Sequence, residues 1–282
     1  MKRNGLAGLI LGLFCALSAH ADAMGDALIE AAKTNNAAEA RRLIAEKANV
    51  NAKKEYGDTA LMYAAGYNAV DVAKLLIAAG ADVNAKANDG RTALTWAASE
   101  NAVDAAKLLI AAGADVNAKA NDGRTALMWA AIENAVDAAR LLIAAKADMN
   151  ARDNDGMTAL MWAASRNAVD VAKLLIAAGA DVNAKDYNYG LTALMYAASS
   201  NAVDVAKLLI ASGADVNAKD NDGWTALMFA AEINAVATAK LLIASGADIN
   251  AKDKDSKTAL TYAVENNASD VADVLRKAAG AR

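Results

Sequence analysis

The chain has 282 residues with no proline, one cysteine (Cys15), one histidine (His20) and 5% aromatic residues, and alanine fills much of its 56% apolar fraction. That composition excludes a β-sandwich or barrel, whose turns draw on proline and whose strands draw on bulky β-formers. A formal charge of −4 with dispersed lysines lacks the concentrated basic surface that nucleic acid requires.

The N-terminus reads as a targeting segment. Lys2 and Arg3 precede an uncharged apolar run, Gly5 to Leu17, and Ala19-His20-Ala21 places small residues at −3 and −1 of a cleavage site before Asp22. This pattern predicts a signal peptide over 1–21. The run is too short to span roughly 30 Å of hydrocarbon, so no permanent membrane insertion is expected after cleavage. Bulky Phe14 before Cys15 disfavours a lipoprotein. Cleavage removes Lys2, Arg3, Cys15 and His20, taking the formal charge from −4 to −6 and leaving neither thiol nor imidazole. A thiol-free chain suits an oxidising compartment, so a periplasmic or secreted destination is expected.

Beyond this segment the chain repeats. Thr59, Thr92, Thr125, Thr158, Thr192, Thr225 and Thr258 each open T-A-L-(M/T)-(W/Y/F)-A, at intervals of 33 residues with one of 34 between Thr158 and Thr192. A period of this length predicts an all-α repeat solenoid. Each unit predicts a short helix opened by a Thr cap, an Asn break such as Asn167, a second helix such as 169–178, a terminating glycine such as Gly179, and a turn at Asn-Asp-Gly. Apolar residues at i, i+3 and i+4 (Leu160, Ala163, Ala164; Val171, Leu174, Leu175) give each helix a stripe that only a stacked neighbour can bury. Residues 22–282 thus read as one domain of about eight units. A polar N-terminal cap covers 26–58, units start near 59, 92, 125, 158, 192 and 225, and a polar C-terminal cap covers 258–282.

The phrases D-G-x-T-A-L and L-L-I-A-A-G-A-D-V-N-A-K-D resemble the ankyrin repeat family over about residues 25 to 280. The resemblance implies helix-turn-helix units with β-hairpin fingers, a concave face formed by the first helices, and a non-catalytic role in binding proteins. Three departures stand out. The family's T-P-L-H is T-A-L-M or T-A-L-T here, so the backbone hydrogen bond of a histidine is expected to be replaced by Met packing. Asn stands between the helices where the family prefers Gly. Lys47 and Lys146 replace the glycine after the second helix, at a cost of about 1 kcal/mol each if the backbone is left-handed there.

Catalysis finds little to work with. Without His or Cys, imidazole and thiol chemistries are closed, and no serine has a base at a recognisable spacing. Asp82, Asp115, Asp148, Asp181, Asp215 and Asp248 recur with the repeat and are predicted to cap local backbone donors. The Asn-Asp-Gly turns lack the alternating carboxylates and later glutamate of a calcium loop. No P-loop or dinucleotide fingerprint is present. No enzyme activity, metal or cofactor is expected.

Binding remains. Tyr63, Trp96, Trp129, Trp162, Tyr196, Phe229 and Tyr262 recur at one position of the first helix. Two readings stay open for this ladder: rings packed against the next unit's hairpin stem, or rings partly exposed to a partner. The residue before each Thr varies: Asp58, Arg91, Arg124, Met157, Leu191, Trp224 and Lys257. Its central members are apolar, and the one extra residue of the array falls within Asp186-Tyr187-Asn188-Tyr189-Gly190. The partner-binding candidates are therefore Met157, Trp162, Arg166, Tyr187, Tyr189, Leu191, Tyr196, Trp224, Phe229 and Ile233, with Met157, Leu191 and Trp224 expected to form a row flanked by a polar rim. A monomer that binds a protein through its concave face and hairpin tips is expected; the alternative is a glycan or small ligand along the ladder. N-terminal sequencing of the exported protein should begin at Asp22, and a sequence beginning at Met1 would refute the targeting segment.

Overall fold

The computed structural model describes residues 23–280, so the targeting segment 1–21 lies outside the described residues. These residues form sixteen helices in two compact units that divide between Asp122 and Gly123. The first unit holds α1 (23–33), α2 (Ala37–Ala45), α3 (Ala60–Gly66), α4 (Val70–Ala78), α5 (Ala93–Ser99) and α6 (Val103–Ala111). The second holds α7 (Ala126–Ile132), α8 (Val136–Ala144), α9 (Ala159–Ser165), α10 (Val169–Ala177), α11 (Ala193–Ser199), α12 (Val203–Ala211), α13 (Ala226–Glu232), α14 (Val236–Ala244), α15 (Ala259–Glu265) and α16 (Ser269–Gly280). The fold is the all-α repeat solenoid that the periodicity predicts.

Seven- and nine-residue helices are too short to persist alone in water, so their ends must be satisfied and their faces buried. Each first helix starts on its Thr. Thr158 Oγ1 accepts the Met161 N–H at 3.4 Å, and the Met161 thioether accepts the Thr158 N–H at 3.4 Å. The pairs Thr59–Met62 and Thr192–Met195 repeat this box, and in the T-A-L-T units the Thr95 and Thr261 hydroxyls replace the sulfur. The expected replacement of a hydrogen bond by mere packing is thus corrected: sulfur, a weak acceptor, still takes the backbone N–H.

The Asn36 side chain caps α2 by accepting the Glu39 N–H, whereas the second helices α4, α6, α8, α10, α12 and α14 follow an alanine and carry no side-chain cap of their own. A preceding repeat supplies the acceptor. Asn35 Oδ1 accepts the Val72 N–H at 3.3 Å, Asn68 the Ala105 N–H at 3.0 Å, and Asn234 the Val271 N–H at 3.2 Å. These asparagines stand at φ 50°, 53° and 56°. Asn tolerates that left-handed turn and also carries the acceptor that Gly lacks, which explains the departure at this position.

Within each unit, first helices pack on first helices and second on second: α3 on α5 and α4 on α6, then α9 on α7 and α11, and α10 on α8 and α12. Leu61, Leu94, Leu127, Leu160, Leu194 and Leu227 are almost fully buried, as are the alanine pairs Ala97-Ala98, Ala130-Ala131 and Ala163-Ala164. The alanines let neighbouring helices approach, so the composition follows from the packing.

The recurrent aspartates cap locally, as expected: Asp82 Oδ1 accepts the Asn84 N–H and Asp181 Oδ1 the Asn183 N–H, both at 2.9 Å. The asparagine so held reaches the next repeat. Asn84 Oδ1 accepts the Asp115 N–H at 2.8 Å while its amide donates to the Gly113 carbonyl at 3.2 Å. The fingers are smaller than hairpins. Each closes on one rung, such as Asp153 N–H to the Met157 carbonyl, and no strand occurs among the described residues, only a single bridge between Lys185 and Thr192. The expected β-hairpins are corrected to tight turns, because two or three residues per arm cannot build a ladder. Backbone bonds chain the tips instead: Asn88 N–H to the Tyr56 carbonyl, and Asn221 N–H to the Tyr189 carbonyl at 2.7 Å.

Lys47 and Lys146 do adopt φ 69° and 67°, where other repeats place Gly113 at 89° and Gly179 at 92°. Lys146→Gly should therefore raise stability by about 1 kcal/mol. An added Cβ at Gly113 meets nothing within 4 Å, whereas at Gly90 it lands 2.6 Å from the Asn121 nitrogen. Denaturant midpoints should rank Lys146→Gly above wild type, Gly113→Ala below it and Gly90→Ala lowest; equal losses at Gly90 and Gly113 would contradict the contact between fingers.

Candidate functional site

The face that matters is built from three positions per repeat: the finger residue five or six before the Thr, the residue just before it, and the ring on the first helix. In the second unit the finger residue is Asp153, Asp186, Asp220 or Asp253. One carboxylate oxygen ties the turn. Asp153 Oδ1 accepts the Met157 N–H at 2.8 Å, Asp186 Oδ1 the Gly190 N–H at 2.9 Å, Asp220 Oδ1 the Trp224 N–H at 2.7 Å and Asp253 Oδ1 the Lys257 N–H at 2.8 Å. The other oxygen meets the ring. Trp162 Nε1 donates to Asp153 at 3.0 Å, the Tyr196 hydroxyl to Asp186 at 2.8 Å, and the Tyr262 hydroxyl to Asp253. Phe229 has nothing to donate to Asp220.

Two aspartates in the same local turn therefore titrate oppositely. Burial pushes the Asp220 carboxyl above its usual range, and the N–H groups of Trp224, Asp222 and Gly223 offset this only in part. At Asp253 burial acts the same way, but the Tyr262 hydroxyl and the Lys257 and Asp255 N–H groups outweigh it and hold the carboxyl below its usual range. Burial first, then the facing aspartate, pushes the Tyr196 and Tyr262 hydroxyls well above a tyrosine's ordinary value. In the first unit the finger residue before Trp96 is Ala87, and Trp96 Nε1 is buried with no hydrogen-bond partner.

Before four of the Thr residues stands a side chain that lies across a ring: Arg91, Arg124, Trp224 and Lys257. Arg124 stands 5.3 Å from the Trp129 ring centre and 4.4 Å from that of Trp162, with its Nε 4.0 Å from Asp153 Oδ2. Trp224 packs 5.0 Å from Phe229 and 4.1 Å from Tyr262. Lys257 covers Tyr262 and pairs with Glu265 at 2.7 Å; in the first unit Arg91 covers Trp96 and pairs with Asp89 at 2.6 Å. The ladder thus takes an intermediate form, half-buried and roofed by the chain's own side chains.

The roof opens beside Trp224 and Phe229. Tyr189, Leu191, Asp220, Asp222, Trp224, Phe229 and Glu232 line a shallow depression of about 300 Å³. It brings together four of the residues singled out from sequence: Tyr189, Leu191, Trp224 and Phe229. The others lie elsewhere. Met157 is only 7% exposed, so the expected row of Met157, Leu191 and Trp224 is corrected at its first member, a buried support rather than an anchor. Trp162 sits under Arg124, and Tyr196 is held by Asp186. Arg166 is exposed at the end of α9. Tyr187 projects from the finger beside Arg152, and Ile233 is exposed at the end of α13. Trp224 is wedged between two rings, those of Phe229 and Tyr262. Arg124 belongs to the ring stack rather than to a polar rim. Sequence reading passed over Asp220, Asp222 and Glu232. Their signal was present, since Asp220 precedes the one ring of the ladder that bears no polar hydrogen. It also passed over Tyr56 and Tyr67, both exposed in the first unit.

A family model described as ankyrin repeats (3 copies) matches residues 6–87, 28–120, 85–153, 112–186, 145–220 and 194–282. A comparison with curated proteins finds no match.

The opposed carboxyls give a pH test. A raised folded-state value means that Asp220 costs stability as pH climbs above the unfolded value near 3.9, whereas the lowered Asp253 contributes stability there and loses it on acidification. At neutral pH Asp220→Asn should be neutral or stabilising and Asp253→Asn destabilising, and the gap between them should close as pH falls below the carboxylate range. Melting temperatures across pH check this; equal effects at pH 7 would contradict it.

Proposed function

The chain belongs to the ankyrin repeat family, and from that premise we propose that it is an exported, non-catalytic module that holds a protein partner on its second unit, at the face of the first helices and the adjoining fingers. Ankyrin repeats generally mediate protein–protein interaction and are typically non-catalytic. The observation that carries the placement is the break in the roof at Leu191, Asp220, Trp224 and Phe229, next to a finger whose Tyr187 and Tyr189 are 63% and 62% exposed. Aromatic side chains held rigidly at such an edge are the residues on which protein interfaces concentrate affinity. A saccharide on the ladder would need a run of open ring faces, and Arg124 over Trp129 and Trp162 and Trp224 between Phe229 and Tyr262 interrupt that run. Export rests on the sequence at 1–21, and the thiol-free remainder agrees with an oxidising compartment.

Crosslinking in intact cells followed by mass spectrometry should recover one dominant protein partner. Tyr189→Ala and Leu191→Ala should each weaken it by roughly 2 kcal/mol with little change in melting temperature, because neither side chain bridges two rings as Trp224 does. Recovery of saccharide fragments alone would overturn the reading.

A further inference from the structure

The repeats of the second unit allow one place on the fold to be compared with itself. Ahead of each ring stand its finger aspartate and the residue preceding the Thr of the repeat before. At Trp162 these are Asp153 and Arg124: the guanidinium lies over the indole at 4.4 Å and 4.0 Å from the carboxylate. At Tyr196 and Tyr262 the aspartate is taken by the ring hydroxyl, and the preceding residues are Met157 and Trp224. At Phe229 the aspartate is Asp220 and the preceding residue is Leu191. This place has neither a ring donor nor a cation among the described residues, and it opens as a depression. The charges around it leave the need unmet. Lys254 pairs with Asp222 at 3.5 Å and Lys257 with Glu265 at 2.7 Å, while neither Asp220 nor Glu232 makes an ion pair among the described residues. Three carboxylates and no cation line the opening, together with the rings of Trp224 and Phe229.

We propose that this depression receives an arginine side chain of the protein partner, with its guanidinium over Phe229 and against Asp220, in the place that Arg124 fills over Trp162. The inference rests on the reading of the chain as a protein-binding module and names what the partner must present: an arginine flanked by apolar residues that can lie on Leu191 and Tyr189. Arginine fits better than lysine, because a planar guanidinium stacks on a ring while its edge reaches a carboxylate.

Ethylguanidinium, with ethylurea as its neutral isostere, tests the site on the full exported chain labelled with 15N at tryptophan. The four indole N–H signals, from Trp96, Trp129, Trp162 and Trp224, provide internal controls. Ethylguanidinium should shift the Trp224 signal saturably and leave the other three in place, and ethylurea should shift none. Asp220→Asn, which keeps an acceptor for the turn, should weaken the effect about tenfold or more. Two variants close the site from within and should abolish the shift while the melting temperature holds or rises: Leu191→Arg, which copies Arg124, and Phe229→Tyr, which gives Asp220 the hydroxyl that Asp186 and Asp253 already have. An unmoved Trp224 signal, or one that moves equally in Asp220→Asn, overturns the proposal. The two readings separate in the crosslinking experiment. A partner still captured by Leu191→Arg leaves the interaction module standing and overturns the arginine site. A shift at Trp224 with no partner captured from cells overturns the module and leaves the guanidinium site standing.

Discussion

A nine-residue helix that starts on alanine holds because another repeat supplies the acceptor it lacks. Asn68 reaches across to the Ala105 N–H, Asn84 to the Asp115 N–H and the Gly113 carbonyl, and Lys86 Nζ to the Lys119 carbonyl at 2.8 Å. In the second unit Asn183 and Lys185 do the same for Asp215, Gly213 and Lys219. An orphan backbone group at a helix end costs about as much as a lost hydrogen bond, and these helices are nearly all ends. A repeat is therefore not a folding unit. It is half of one, completed by its neighbour, and the stability of each depends on the presence of the next. In the repeat opened by Thr258, Leu260 is only half-buried where Leu227 is almost fully so, and α16 exposes Asp270, Asp273 and Arg276.

That dependence sorts the positions by how freely they can change. The Thr fixes the start of its own first helix, the Asn between the helices caps a second helix of the next repeat, and the aspartate of A-D-V-N holds an asparagine that bonds backbone of the next repeat. A change at any of them loses a backbone hydrogen bond at a helix end or between repeats. The residue before the Thr and the ring carry no backbone obligation, and there the chain varies. Their variation is nonetheless matched. Where the ring bears a donor it meets an aspartate, and where Arg124 bears a charge it meets both an indole and an aspartate.

How much of this could be read from the sequence depends on the range of the interaction. The Thr caps, the left-handed Asn and Gly positions and the local Asp caps are contacts within four residues, and their spacing showed them. The repeat period itself announced the fold. What it could not announce was contact between repeats. Asn for Gly reads as a mere departure until Asn68 is seen to cap a helix 37 residues on. Met for His is a local case, three residues apart, that reads as lost polarity because sulfur is a weak acceptor that the pattern does not mark as one. Met157 and Leu191 are alike in pattern, yet one is buried and the other lines an opening, because burial depends on which side chain the neighbouring repeats bring over them.

The exception at Asp220 follows from the same rule. Its turn is built like those of Asp153, Asp186 and Asp253, so the backbone holds the carboxylate in place whatever stands opposite. With Phe229 there instead of a donor, burial raises the cost of its charge. A tyrosine would remove that cost, and the two repeats on either side have one. A local rule kept by three repeats and broken by a fourth, with neither a ring donor nor a cation for Asp220 among the described residues, is the feature on which the proposed arginine site rests. The opening lies there because the side chain that would roof it, the counterpart of Arg124, is a leucine too short and too apolar to reach the carboxylate.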